Sequence, residues 1–215
     1  MIDLHTHSLF SDGELLPSEL VRRGAAIGYQ AMAITDHVDS SNLDWVIPRL
    51  VQVCRDLNAH WQIQAIPGVE LTHIPPDLIA PLTLQARALG AQIVLVHGET
   101  VVEPVPPGTN QRAIAAGVDI LAHPGLIGEE EVIQAREKNV FLEITARKGH
   151  SLTNGHVARL AQKVGASLVF NTDAHAPDDL ILRDRALKIT RGAGLAEGDF
   201  ERMLENARKI LEHRC

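Results

Sequence analysis

The sequence predicts an α/β chain in one domain, a TIM-like barrel of seven βα units, one unit short of the common eight. Three observations predict it. Short apolar runs alternate with longer helical patterns along the whole chain. A glycine repeatedly stands just past a helical pattern, and no Gly/Ser linker, low-complexity tract or fixed-period repeat divides the 215 residues. A glycine that ends a helix, followed closely by a buried β-run, is the grammar of a parallel sheet with helical crossovers.

Taken in order, the first run covers residues 2–4 and leads to a helical pattern over 17–27, which opens with Pro17-Ser18-Glu19 and ends before Gly28. Proline and an acid suit the first turn of a helix. The second run, 31–34, leads to 43–57, and the third, 63–66, leads to 77–89, closed by Gly90. The fourth, 93–96, feeds 110–116, closed by Gly117, and the fifth, 120–122, feeds 129–138. The sixth, 140–144, feeds 153–164, where Thr153 or Asn154 can cap the start and Gly165 ends it. The seventh, 168–170, feeds 180–190. A terminal helix over about 197–212 spaces Phe200, Met203, Leu204, Ala207, Ile210 and Leu211 along one face, as expected of a helix packing on the barrel.

Composition narrows the function. With 45% apolar and 22% charged residues the chain is neither disordered, collagenous nor membrane-spanning as a whole. Its longest apolar runs are strand-sized. Lys and Arg number 20 against 27 Asp and Glu, a net charge of −7. That is a poor footprint for nucleic acid, so only nucleotides would be expected as such ligands, and no membrane partner is expected. Cys54 and Cys215 make no disulfide framework, and the start Met1-Ile2-Asp3-Leu4-His5 has no signal-peptide character, so the expected location is the cytoplasm. The oligomeric state stays open. Eleven histidines stand against only seven Phe, Trp and Tyr, which directs attention to metal or acid–base chemistry.

The polar residues at the run ends carry that chemistry. Run one ends in His5-Thr6-His7, run two in Thr35-Asp36-His37, run three in Pro67-Gly68-Val69-Glu70 and run four in His97-Gly98-Glu99. Run five ends in His123-Pro124-Gly125, run six carries Glu143, and run seven ends in Thr172-Asp173-Ala174-His175. The C-terminal ends of barrel strands form the face where the βα loops converge. His5 and His7 share a strand face by the period of two, as do Asp173 and His175. Imidazoles and carboxylates gathered there would be left with unpaired acceptors unless cations join them, and such donors suit zinc, manganese or iron. His60, His73, His150, His156 and His213 read as ordinary hydrogen-bonded loop or helix residues.

These motifs, together with Ser11-Asp12-Gly13 after Asp3-Leu4-His5-Thr6-His7-Ser8, resemble the PHP (polymerase and histidinol phosphatase) family of metal-dependent phosphoesterases. The resemblance spans residues 2 to about 176. It implies a distorted (β/α)7 TIM-like barrel as a single PHP-type domain over 1–215. It also implies three divalent ions, zinc, manganese or iron, on nine ligand positions, none of them missing here. His5, His7, Glu70 and Asp173 would hold one ion. Glu70 would bridge to a second on His97 and His123, and Asp12, His37 and His175 would hold the third.

The implied activity is hydrolysis of a small phosphate monoester (histidinol phosphate, a nucleotide or a similar compound) by a metal-bridging hydroxide. Glu70, Asp173 and His175 would be the catalytic ligands. The positive charge left after Asp12, Glu70 and Asp173 are counted selects an anion, and no nucleophile elbow is present. Arg147 and Lys148 follow run six, where a guanidinium could take phosphate bidentately. Glu143, Glu99 and His150 are further candidate substrate contacts, Glu143 being equally placed to support a ligand. Asp36 alternates to the opposite face, where it would orient a neighbour, and Asp178 and Asp179 read as a helix cap. Two rival functions are an amidohydrolase-type metal hydrolase, which would not require Asp12 or His175, and a non-catalytic PHP module serving protein interaction.

Overall fold

A computed structural model describes residues 1–214, so Cys215 lies outside the described residues. The described residues form eight α-helices and eight strands. They are β1 (Ile2–Asp3), α1 (Pro17–Ala26), β2 (Ala31–Ile34), β3 (His37–Val38), α2 (Leu43–Asn58), β4 (Gln64–Leu71), α3 (Ile79–Ala88) and β5 (Ile93–His97). Then follow α4 (Thr109–Ala116), β6 (Ile120–Ala122), α5 (Glu129–Lys138), β7 (Phe141–Thr145), α6 (Asn154–Val164), β8 (Leu168–Asn171), α7 (Arg183–Gly192) and α8 (Glu197–Arg214). Helices and strands alternate except that β2 is followed directly by β3 and α7 by α8. Short 3-10 turns precede α3, α6 and α7, and these helices begin at residues 79, 154 and 183 where the periodicity predicts 77, 153 and 180.

Every ladder is parallel, and the sheet runs β1-β2-β4-β5-β6-β7-β8, a seven-stranded path nearly closed into a barrel. The short β3 lies off that path and pairs with the end of β4, placing His37 opposite Glu70. Strand β4 is longer than its apolar run suggests because its first half pairs with β2 and its second half with β5.

Closure between first and last strands is made without a ladder. One isolated bridge joins Thr6 to Ala174. His7 N–H donates to the Ala174 carbonyl at 2.8 Å and Asp173 N–H to the His5 carbonyl at 2.9 Å. Below them, Leu4 N–H donates to Asn171 Oδ1 at 2.9 Å.

The core has two layers. A large outer cluster fills the space between sheet and helices. Inside the barrel, Ile2, Leu4, Ala31, Ala33, Ile66, Ile93, Leu95, Ile120 and Val169 pack together, and Ala207, Ile210 and Leu211 of α8 close that cluster from below. The barrel interior is therefore a filled core, and its other mouth is left for chemistry. Among the described residues no helix is long and apolar enough to cross a membrane.

Candidate metal centre

All nine predicted donor positions meet at the C-terminal mouth. Alternation along the strands accounts for several of them: Ile93 and Leu95 face the barrel interior, and His97 continues that face upward. Ile66 does the same for Glu70, four residues on along β4. The seam brings His5 and His7 beside Asp173. His123 and Asp173 stand in the left-handed region, with φ of 27° and 55°. Backbone strain of that kind collects at functional sites.

Asp12 sits on a loop fixed from behind by Asp36, which accepts from Ser8 N–H at 2.7 Å, Ser8 Oγ at 2.6 Å and Ser11 Oγ at 2.7 Å. Gly13 permits this packing, and Gly98 permits the close approach of the β5 end to β6. A β-carbon on Gly13 would stand 2.3 Å from the His7 carbonyl oxygen, and one on Gly98 would stand 2.3 Å from that of Ala122.

The donor spacing fits divalent ions. His5 Nε2 lies 3.4 Å from Glu70 Oε1 and 3.6 Å from Asp173 Oδ1, while His7 Nε2 lies 3.2 Å from the same Asp173 oxygen and 3.9 Å from Glu70 Oε2. Four ligands placed tetrahedrally around zinc would be about 3.3–3.6 Å apart. Asp12 Oδ1 lies 3.4 Å from His37 Nε2 and 3.2 Å from His175 Nε2. His123 Nε2 stands 3.6 Å from both Glu70 Oε1 and Asp173 Oδ2. The group formed around His97 and His123 also includes His150.

Hydrogen bonding decides which ring nitrogens face inward. His5 Nδ1 meets Glu143 Oε1 at 2.8 Å, His97 Nδ1 meets the Gly98 carbonyl at 3.2 Å, and His175 Nδ1 meets the Asp173 carbonyl at 3.0 Å. Those partners only accept, so each Nδ1 carries the hydrogen and each neutral ring turns an Nε2 lone pair toward carboxylate oxygens. Lone pairs facing lone pairs call for cations between them. His5 Nε2, both ring nitrogens of His7, Glu70 Oε1 and His123 Nδ1 are buried without a hydrogen-bond partner. Buried polar atoms are seldom left so, and here they share one small volume.

The electrostatics show the same demand for positive charge, which at His5 a proton meets when no ion is bound. Burial, with the surrounding imidazoles, holds His7 and His123 well below the ordinary histidine range. At His5 burial pulls the same way but is outweighed by Glu143, Asp173 and Glu70, which hold it well above. Burial pushes Asp173 up to about 7, whereas at Glu70 the neighbouring His5 and His37 overcome burial and hold the carboxyl well below its usual value.

Above the centre lies a cavity of about 250 Å³. Asp12, His37, His97, Asp173 and His175 line it, together with Thr72, His73, Glu103, Arg147 and His150. Arg147 Nη1 donates to Asp179 Oδ2 at 3.1 Å, an oxygen that also accepts from His175 N–H and Ala176 N–H. Asp179 thus caps its turn and also fixes the guanidinium. Larger cavities of about 530 and 610 Å³ lie against α8 at the opposite end, without such a donor cluster among the described residues.

Three expected substrate contacts are corrected. Glu143 is fully buried and faces away from the cavity. Its oxygens accept from His5, from Asn171 Nδ2 at 2.8 Å and from His123 N–H at 3.0 Å, so it supports ligands from behind. Glu99 Oε1 accepts from Gly108 N–H and Asn110 N–H, which ties it to the start of α4. Lys148 is exposed and does not line the cavity.

Arg147 and His150 do line the cavity, and so does His73, read above as an ordinary loop residue. Glu103 is the donor missed altogether. It lies in Val101-Val102-Glu103-Pro104-Val105-Pro106-Pro107, beyond the end of a run, where a search of strand ends does not reach. Its only signal was its place on a loop of the active face. His156 and His60, by contrast, bond backbone carbonyls as expected.

Fold and site define a class first: a parallel βα barrel whose C-terminal mouth gathers imidazoles and carboxylates that could hold divalent ions. Within that class the chain belongs to the PHP domain family, which matches residues 3–163. The match stops short of Asp173 and His175, which the fold returns to the same mouth.

An uncharacterized protein of Methanocaldococcus jannaschii is 49% identical over 211 residues, 97% of each chain. DNA polymerase/3'-5' exonuclease PolX of Bacillus subtilis is 30% identical over 204 residues, 80% of this chain but 34% of that protein. A "probable phosphatase" of Thermoanaerobacter sp. is 25% identical over 221 residues, 92% of this chain and 88% of its own.

Among solved structures, a chain of archaeal ribonuclease P with mature tRNA shares the fold with a TM-score of 0.74 at 16% identity, covering 98% of this chain and 90% of that one. Histidinol phosphate phosphatase from Lactococcus lactis, complexed with zinc, L-histidinol and phosphate, does so with 0.60 at 17%, covering 90% and 94%.

Proposed function

We propose that the chain is a metal-dependent phosphatase acting on a small phosphate monoester. One observation carries the proposal: buried donor atoms without partners face one another beneath a cavity whose rim carries the Arg147 guanidinium. His5, His7, Glu70 and Asp173 would hold one divalent ion, His97 and His123 with Glu70 a second, and Asp12, His37 and His175 a third, with zinc, manganese or iron suited to such donors. Ions held there supply Lewis-acid stabilisation of the phosphoryl oxygens and activate water as the nucleophile.

The chain's own residues do the rest. Glu143, the Gly98 carbonyl and the Asp173 carbonyl set the rings of His5, His97 and His175. Asp179 holds Arg147 where its fork can take two phosphoryl oxygens, and His150 offers a further contact across the cavity. The cavity is below the size usual for drug-sized ligands, which supports a small substrate. The "probable phosphatase" relative and the phosphatase complexed with histidinol and phosphate support the same class.

The test is a panel of phosphate monoesters, including histidinol phosphate, nucleotides and a chromogenic ester, offered to metal-reconstituted protein. His7→Ala and Asp173→Asn should each abolish turnover while leaving circular dichroism unchanged; turnover that survives both would overturn the proposal. Arg147→Ala should raise KM more than it lowers kcat, as expected when ground-state phosphate binding is lost.

The 30% identity to the exonuclease-bearing polymerase favours a second possibility, removal of nucleotides from 3′ ends. A net charge of −7 and the small cavity weigh against it. Release of mononucleotides from a short oligonucleotide, with no monoester turned over, would reverse that order.

A further inference from the structure

The loop between β5 and α4 lays Glu103 across His97. Glu103 Oε2 stands 3.1 Å from His97 Nε2 and 3.0 Å from His73 Nε2, and its Oε1 stands 3.4 Å from His150 Nε2. Because His97 Nδ1 bonds the Gly98 carbonyl, neutral His97 presents an Nε2 lone pair to that carboxylate. The contact repels unless a cation stands between the two atoms. This is the relation that His175 has with Asp12, yet Glu103 and His73 both lie outside the nine positions.

His73 adds an independent observation. Its φ is 52°, and of the four non-glycine residues with positive φ among the described residues, His73, His123 and Asp173 all belong to this mouth. Residues with a β-carbon adopt that conformation in only a few per cent of cases, and such positions gather at functional sites. Here it aims an imidazole at Glu103.

We propose that His73 and Glu103 are ligands to the divalent ion carried by His97, forming a metal position at the mouth of the cavity. The proposal rests on the metal-centre assignment above. Glu103 and His73 side chains are each 38% exposed, whereas that of His97 is 3% exposed. The position therefore opens to solvent.

Mn²⁺ titration by calorimetry, on chelator-stripped wild type, Glu103→Gln, His73→Ala and His7→Ala, tests this. Glutamine keeps the side chain's shape and removes its charge. Glu103→Gln and His73→Ala should each weaken one class of Mn²⁺ site by about 10–100-fold and leave the other classes unchanged, whereas His7→Ala should weaken a different class. If the Glu103→Gln and His73→Ala isotherms superimpose on wild type while that of His7→Ala does not, the proposal is overturned and a proton, not a metal ion, joins His97 to Glu103. If wild type takes up no Mn²⁺, the metal-centre assignment falls with it.

Discussion

At His5 the two ring nitrogens have separate tasks: Nδ1 donates to Glu143, and Nε2 faces Glu70 and Asp173. Glu143 accepts three N–H groups and is wholly buried, so its role depends on having two acceptor oxygens. Glu143→Gln keeps one acceptor and turns an NH2 group toward a donor. The expected outcome is metal affinity lowered about 10–100-fold, read by Mn²⁺ titration; wild-type affinity would show that the carboxylate is dispensable. Cys54 makes a different prediction. It is 1% exposed, and burial pushes its thiol up to about 12. In a Cys215→Ser variant, a thiol reagent at pH 8 should leave Cys54 unmodified until denaturant unfolds the chain, since the thiolate is the reactive form.

Among the elements, α8 has the clearest structural task. Its Ala207, Ile210 and Leu211 close the barrel's interior from below, while Phe200 packs edge-on against Phe170 of β8 with ring centres 5.6 Å apart. Phe200→Ala should cost about 3–5 kcal/mol in denaturant unfolding. A loss under 1 kcal/mol would mean that α8 is an accessory to the barrel. This helix was legible because its apolar residues recur at helical spacing. The seven core strands were legible through their apolar runs, and several helix ends through their glycines: Gly117 and Gly165 cap α4 and α6 in the left-handed conformation. Strand β3 was not legible, since two residues leave no periodic signature and their strand character comes from pairing with β4. The 3-10 turns before α3, α6 and α7 were hidden for the same reason: local pattern does not distinguish a tight first turn from an α-helical one.

For the whole molecule, the consequential feature is the seam. The sheet path ends at β1 and β8, joined at the mouth by the Thr6–Ala174 bridge and two backbone hydrogen bonds. Donors from both sides meet across it: His5 and His7 from the first strand's end, Asp173 and His175 from the last. An ion held between them would tie the barrel shut, so metal binding should act as folding energy. Free metal at 100 times its Kd adds about 2.7 kcal/mol if it binds only the folded state. Stripping the protein with a chelator should lower its Tm, and restoring Mn²⁺ or Zn²⁺ should raise it and slow hydrogen exchange at the His7 and Asp173 amides. Equal Tm values with and without metal would contradict this picture of closure.

Alternating pattern, glycine punctuation and donors at the ends of apolar runs were enough to determine the barrel, its seven-unit count and most of the donors, while the full set of nine, with Asp12, came from the resemblance to the PHP family. Those signals are local, and strand direction converts them into one mouth. Only the tertiary structure decided that Glu143 and Glu99 turn away from the cavity, and that Glu103 and His73 enter it. The path of a long loop and the hydrogen-bond partners of a buried carboxylate are set by contacts between distant segments, which no short window of sequence contains.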